Sequence, residues 1–307
     1  MSKLAFLFPG QGSQFAGMGK ALAEAFPAAK DVFQRADEAL GFPISRLCHE
    51  GPDDQLKLTE NTQPAILTVS TAAAAVLRER GIQPDFVAGH SLGEYSALVA
   101  AGALRFEDAL RIVRARGRYM QEAVPPGVGA MAALLKMPED KLDEVLAAAA
   151  QGEVVSAANL NSPDQVVIAG HAGAVGRAVE LAKAAGCKRA VLLPVSAPFH
   201  CALMQEAQAR LAADLEAAAF ADLGIPLVNN WRAEPVRTGA EARTGLIEQV
   251  PNPVRWTQSI RRLVDEGVTR WIEPGPGNVL CGLLRQIAPT QQGLKFGEPA
   301  DLDRIEG

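Results

Sequence analysis

Residues 86–101 read Phe86-Val87-Ala88-Gly89-His90-Ser91-Leu92-Gly93-Glu94-Tyr95-Ser96-Ala97-Leu98-Val99-Ala100-Ala101. A short apolar run opens the stretch, a G-x-S-x-G sequence follows, and eight residues with helical character close it. The order predicts strand, sharp turn and helix, the context in which such a serine serves as a nucleophile. The turn is strained and its neighbours approach closely, which asks for glycine on either side. It lifts the Ser91 hydroxyl to the carboxyl end of the sheet at a helix N-terminus, where negative charge is favoured. A structural turn serine is the plainer alternative.

Working outward, the same alternation recurs and predicts an α/β fold. Leu4-Ala5-Phe6-Leu7-Phe8 reads as a first strand. It runs into Pro9-Gly10-Gln11-Gly12-Ser13-Gln14 and then a helix with Met18, Leu22 and Phe26 at four-residue spacing. A second helix is predicted from Pro64 to Arg80, with Pro64 in its first turn and Gly81 ending it. From Gly129 the pattern changes. Strand 130–135, helix 138–150, strands 154–158 and 166–169 joined by the turn Asn161-Ser162-Pro163-Asp164, helix 174–185 and strand 190–195 give β-α-β-β-α-β, a ferredoxin-like order. The expectation is a large body from 1–128 and 196–307, with a small ferredoxin-like domain inserted at 129–195. A helix from Cys201 to about Ala219, an irregular stretch containing Trp, Arg and Pro, a helix from Thr257 to Gly267 and a strand 270–273 ending in Pro274-Gly275-Pro276-Gly277 complete the body. The polar tail from Gln291 is expected to add nothing to a site.

At 307 residues with 48% hydrophobic and 21% charged side chains, the chain can bury a sizeable core. It has no uninterrupted apolar stretch long enough to cross a bilayer. Thirty Lys and Arg against 35 Asp and Glu give a net charge of −5, a field that repels phosphate backbones, so no nucleic-acid partner is expected. Cys48, Cys187, Cys201 and Cys281 are scattered with no C-x-x-C pair, which suggests neither a metal site nor a disulfide framework and suits a reducing cytoplasm.

A serine nucleophile needs a base, and histidine is the usual one near neutral pH. Of four histidines, His90 lies inside the turn and should point away from Ser91. His49 sits in a charged loop, and His171 follows Gly170 at the end of a small-domain strand, in a surface turn. His200, in Ser196-Ala197-Pro198-Phe199-His200, remains as the candidate base, or alternatively as a helix cap. The order nucleophile, acid, C-terminal histidine fits poorly, because any acid between Ser91 and His200 falls mostly in the insertion; something else must orient His200.

On the helix predicted from Phe106 to Met120, about 100° per residue places Arg114 and Arg118 within roughly 60° of Arg111, while Arg116 lands near 140°, amid Ala109, Ile112, Val113 and Met120. A guanidinium there needs a partner or a wet cleft. It is either an internal ion pair or the binder of a substrate carboxylate, which its planar fork suits. The backbone N–H groups of the Gly10-Gln11-Gly12 turn and of Leu92 are candidates for an oxyanion hole.

Phe8-Pro9-Gly10-Gln11-Gly12-Ser13-Gln14, Gly89 to Tyr95, Arg116-Gly117, Pro198-Phe199-His200-Cys201, Glu248-Gln249 with Asn252-Pro253-Val254 and Trp256, and Pro274 to Gly277 together resemble the malonyl-CoA:acyl carrier protein transacylases, from Leu4 to about Ile287. The resemblance implies an α/β-hydrolase-like body and ping-pong transfer of a malonyl group from malonyl-CoA, through an ester on Ser91, to the phosphopantetheine thiol of an acyl carrier protein, in fatty-acid or polyketide synthesis. It implies that His200 is base and then acid, and that the main-chain carbonyl of Gln249 orients it. Gln11 and Leu92 would hold the oxyanion, Arg116 the malonyl carboxylate, and Phe199 would narrow the pocket against a 2-methyl branch. No metal or other cofactor is implied. Arg111, Arg114, Arg118, Arg261, Arg262 and Arg285 are candidates for a local basic surface facing an acidic carrier. A hydrolase using the same pair, or a catalytically silent scaffold, are the alternatives.

Overall fold

The computed structural model describes residues 2–195 and 197–306, so Ser196, the first residue of the predicted return to the large body, lies outside the described residues. In chain order the strands are β1 (Lys3–Phe8), β2 (Phe86–Gly89), β3 (Gly129–Leu135), β4 (Val155–Ser162), β5 (Gln165–His171), β6 (Arg189–Leu192), β7 (Leu227–Val228), β8 (Pro235–Val236), β9 (Val268–Pro274) and β10 (Gly293–Phe296). They form two sheets. The first runs β10-β9-β1-β2-β7-β8 and is parallel except where β8 returns on β7. The second runs β4-β5-β3-β6, antiparallel throughout, with helices Leu142–Ala150 and Ala172–Ala184 packed on it. This is the mixed α/β fold that the sequence predicts, with the second sheet drawn wholly from residues 129–192.

Strand β1 sits at the middle of the first sheet, and its side chains alternate between two cores. Leu4, Phe6 and Phe8 join one apolar cluster, whereas Ala5 and Leu7 join Phe86, Ala88, Trp256 and Trp271 in another. A strand covered on both faces reads as an unbroken apolar run, which is how 4–8 read in the sequence. The second sheet has its own core around Ala132, Leu134, Ile168, Val175 and Val179. Its edge strand β4 is stitched to the body by backbone bonds: Leu160 N–H donates to the Val254 carbonyl at 2.9 Å and Val254 N–H to that of Ala158 at 2.9 Å.

Several local expectations are corrected. The helix assigned to Met18, Leu22 and Phe26 is only Lys20–Ala25. Gly17 and Gly19 take positive φ before it, and Phe26 breaks to an extended conformation ahead of a new helix, Pro27–Leu40. The helix expected from Pro64 begins at Thr59, so Pro64 lies inside it. Its ring removes one backbone donor without ending the helix, because the face around it is packed in the core. His49 lies on helix Ile44–Glu50, edge-on to Phe33 at 4.6 Å, not in a loop. His171 ends β5, the strand-end position expected for it, and accepts the Val154 N–H. The stretch read as irregular contains helix Gly239–Gln249, opened by a Thr238–Glu241 capping box. The polar tail supplies β10 at the edge of the first sheet, a structural part that leaves the expectation about a site untouched.

Candidate active site

The pairing of β1 with β2 puts Phe8 opposite Gly89, so the chains leave the sheet side by side at their carboxyl ends. Three glycines make this crossing possible. A Cβ on Gly89 would lie 2.0 Å from the Gly93 carbonyl carbon, one on Gly93 would lie 2.1 Å from the Phe8 oxygen, and one on Gly10 would lie 2.4 Å from the His90 oxygen. The turn they permit holds Ser91 at φ 52°, in the left-handed region that costs a residue with a Cβ roughly 1–2 kcal/mol. Its hydroxyl stands at the head of helix Gly93–Ala100.

His200 also has a positive φ, 59°. Its Nε2 lies 2.8 Å from Ser91 Oγ and its Nδ1 lies 2.9 Å from the main-chain oxygen of Gln249. A carbonyl oxygen only accepts, so Nδ1 carries the proton and Nε2 is left with its lone pair toward the serine hydroxyl. No carboxylate takes part in this chain. Burial, and then the charge of Arg116, push the imidazole down to about 3 against the raising effect of the Gln249 carbonyl, which keeps it neutral at pH 7. His90 turns away, its Nε2 2.8 Å from Asn161 Oδ1, as its place inside the turn predicts.

Arg116 is 1% exposed, in the middle of the apolar face of helix Phe106–Glu122. Neighbouring Gly117 lets that helix close on Thr59, where a Cβ would sit 2.7 Å from the carbonyl oxygen, and this brings Arg116 to Gln63. The guanidinium donates to Gln63 Oε1 at 2.7 Å through Nη1, and through Nη2 to Ser91 Oγ at 3.1 Å and Gln249 Oε1 at 3.0 Å. All three acceptors are neutral. The internal ion pair expected as one alternative is therefore not the arrangement found, and the buried cation faces Ser91 without a contacting anion among the described residues.

Gln249 is fully buried and was not derivable from the sequence pattern. Its side-chain Nε2 faces Glu94 Oε2 at 2.9 Å, Ser91 O at 3.1 Å and Asn230 Oδ1 at 3.2 Å. Asn230 in turn ties the turn down: its Oδ1 accepts the Ser91 N–H at 2.7 Å and its Nδ2 donates to Gly89 O at 2.7 Å. Gln63, Glu94 and Asn230 are the residues that sequence reasoning missed. Glu94 stood next to the motif in plain view, but nothing local marked it as buried.

A cavity of about 130 Å³ opens over Ser91, lined among others by Gln11, Arg116, Phe199 and His200. Met131 and Asn159, from the second sheet, form its far wall. Gln11 and Leu92 each lie three residues beyond the paired Phe8 and Gly89, past the carboxyl ends of the two strands. Phe199 is buried at 9% exposure beside the imidazole. Larger hollows exist, including one of about 340 Å³ between helices near Thr71 and Ser96, but they hold none of these groups. Arg111 and Arg118 are exposed on the opposite helix face; Arg111 pairs with Asp108 and Arg114 stacks on Phe42 at 4.2 Å.

The site thus joins a serine hydroxyl, a neutral imidazole hydrogen-bonded to it and a buried guanidinium around one cavity, the elements that acyl transfer through a serine ester requires. Comparison with known proteins agrees. Residues 5–289 match the acyl transferase domain family. The malonyl CoA-acyl carrier protein transacylase of Bacillus subtilis (strain 168) is 50% identical over 304 residues, covering 99% of this chain and 96% of that protein. An acyl carrier protein S-malonyltransferase from Vibrio cholerae superposes with a TM-score of 0.97 at 46% identity, over 99% of this chain and 100% of that one. A malonyl-transacylase solved in complex with a type II PKS acyl-carrier protein superposes with a TM-score of 0.96 at 44% identity, over 98% of both chains. With a match that spans nearly its whole length and relatives this similar, the chain belongs to the acyl transferase domain family.

Proposed function

We propose that this protein moves a malonyl group from malonyl-CoA to the phosphopantetheine thiol of an acyl carrier protein, by a ping-pong route through an ester on Ser91. One observation carries the reading. The buried Arg116 guanidinium, which has only neutral acceptors, shares a cavity with a Ser91 hydroxyl already hydrogen-bonded to His200. A malonyl thioester brings both a carbonyl for the serine and a carboxylate for the arginine.

In the first half, Ser91 Oγ attacks the thioester carbonyl and its proton passes to His200 Nε2. The N–H groups of Gln11 and Leu92 receive the oxyanion, and the Gln249 carbonyl stabilises the imidazolium through Nδ1–H. Collapse breaks the C–S bond, and the departing sulfur takes the proton from His200 as CoA leaves. In the second half, the carrier thiol gives its proton to His200 and attacks the ester carbonyl, and Ser91 Oγ recovers the proton as the C–O bond breaks. Arg116 holds the malonyl carboxylate through both halves, while Phe199 narrows the pocket beside the ester. The reaction needs no metal or resident cofactor, since the phosphopantetheine arrives on the partner.

A cytoplasmic setting, in fatty-acid or polyketide synthesis, fits the reading. The four cysteines are unbridged, and no helix among the described residues is long and apolar enough to cross a membrane. The test is the intact mass of the protein after incubation with malonyl-CoA alone, beside a Ser91→Ala control. A stable malonyl adduct on the wild type only is expected. CoA release without an adduct would point to a hydrolase and overturn the proposal.

A further inference from the structure

Glu94 lies three residues after Ser91 on the turn's own helix, is fully buried and does not line the cavity. Its Oε2 accepts two hydrogen bonds, from the Asn230 N–H at 2.8 Å and from Gln249 Nε2 at 2.9 Å, whereas its Oε1 has no partner. A buried carboxyl with one bare oxygen is costly, so its presence calls for a reason. Burial pushes it up to about 7, and the hydrogen bonds from Asn230 and Gln249, with the charge of Arg116, work against that rise. The acid is thus held in a place that resists its charge.

We propose that Glu94 is a positioning residue that acts through Gln249: it fixes which way the Gln249 amide faces, so that Arg116 meets an oxygen and not an NH2 group. Donors and acceptors around the amide set its orientation. On one side of the amide stand three groups that only accept in this setting, namely Glu94 Oε2, the Ser91 carbonyl and Asn230 Oδ1, whose orientation is fixed by the Ser91 N–H it receives. On the other side stands Arg116 Nη2, which only donates. Turning the amide over would set its oxygen against three acceptors and its hydrogens against the guanidinium. Of the three acceptors Glu94 Oε2 lies nearest the Gln249 amide nitrogen, at 2.9 Å against 3.1 and 3.2 Å. With the amide fixed, Arg116 is held between Gln63 and Gln249 and its fork is aimed at the cavity before any acyl group arrives. This inference rests on the reading that Arg116 receives the acyl carboxylate.

The test is a double-mutant cycle on the full chain, with kcat/KM for malonyl-CoA and for acetyl-CoA as the readout and a thermal melt as a check on folding. Glu94→Met, of similar length and without acceptors, is expected to lower the malonyl-over-acetyl preference about tenfold. Glu94→Gln, which keeps one oxygen for both donors, should recover most of that loss. On a Gln249→Ala background, Glu94→Met should change the preference less than twofold, because the group it acts through is gone. A Glu94→Met enzyme with unchanged preference, or a full second tenfold loss in the double variant, overturns the inference. Should Glu94→Met fail to fold, Glu94→Asp keeps the charge, retracts it by one methylene and enters the same cycle with the same criteria. The parent reading fails differently: a wild type with no malonyl preference overturns the role of Arg116 itself.

Discussion

Gln249 meets His200 and Arg116 through two different oxygens: its main-chain carbonyl accepts from the imidazole at 2.9 Å and its side-chain oxygen from the guanidinium at 3.0 Å. One residue thereby links the proposed base to the proposed acyl anchor, and the two links are separable by mutation.

Gln249→Ala removes the side-chain oxygen and keeps the carbonyl. The loss of one hydrogen bond to a charged group, about 1.5–3 kcal/mol, predicts a fall in malonyl kcat/KM of roughly 10- to 150-fold. His200→Ala removes the base and should cost about 10²–10⁴ in the rate of acylation. Rapid-mixing measurement of CoA release distinguishes the two. The malonyl-over-acetyl preference should fall in Gln249→Ala and stay in His200→Ala, and an equal fall in both variants would contradict the separation.

Arg116→Ala should reverse the order of substrates. Truncating one member of a buried charged pair costs about 2 kcal/mol or more, so malonyl-CoA should lose at least roughly 30-fold in kcat/KM. Acetyl-CoA, which leaves the guanidinium unpaired in the wild type, should not lose and is expected to gain. Competition between the two thioesters, read by the mass of the adduct, gives the ratio directly. A variant that keeps the wild-type ratio would show that Arg116 does not bind the acyl carboxylate.

The acid side of the pH profile follows from His200. The ring must be neutral to take the serine proton, and burial and then Arg116 hold its folded value below the ordinary 6.5. Activity should therefore persist on acidification past pH 6.5 and fall only below it. Replacing Arg116 by Met removes one of the lowering influences, so the acid limb of kcat/KM should move to higher pH. The same depression has a sign for stability: the unfolded chain takes up a proton at His200 near 6.5 while the folded chain does not, so this group costs stability as pH falls from 6.5 toward 3. A limb that stays put in Arg116→Met would argue against a charge effect on the base.

Gly89→Ala tests the turn rather than the chemistry. Its Cβ would meet backbone atoms of Gly93 and Glu94 at 2.0–2.4 Å, and backbone cannot step aside as a flexible side chain can. A loss of about 1–3 kcal/mol or more is expected, together with loss of the malonyl adduct, read by thermal melting and intact mass. Gly176, whose Cβ would have nothing within 4 Å, is the matched control, and Gly176→Ala should melt like the wild type or above it.

The parts of this molecule that were legible in the sequence are those carried by local pattern. The strand, turn and helix around Ser91 declare themselves within sixteen residues, and the helical wheel alone places Arg116 on the buried face. The second sheet follows from its alternation of strands and helices. Gln63, Glu94, Asn230 and Gln249 were not legible in that way, because each acquires its role from a partner 19 to 158 positions away. Only the resemblance singled out Gln249. The helix that ends at Gln249 left a usable mark, the Thr238-x-x-Glu241 capping box, inside a stretch read as irregular. Pro64 misled in the opposite direction, since core packing carried a helix through a residue that usually begins one.

The order of the site along the chain has a consequence for biosynthesis. Ser91 precedes His200 by 109 residues and Gln249 by 158, and the whole of the second sheet lies between nucleophile and base. A ribosome thus releases the serine long before the groups that arm it. On the proposed roles, the nascent chain carries an ordinary hydroxyl at Ser91 until these long-range contacts close.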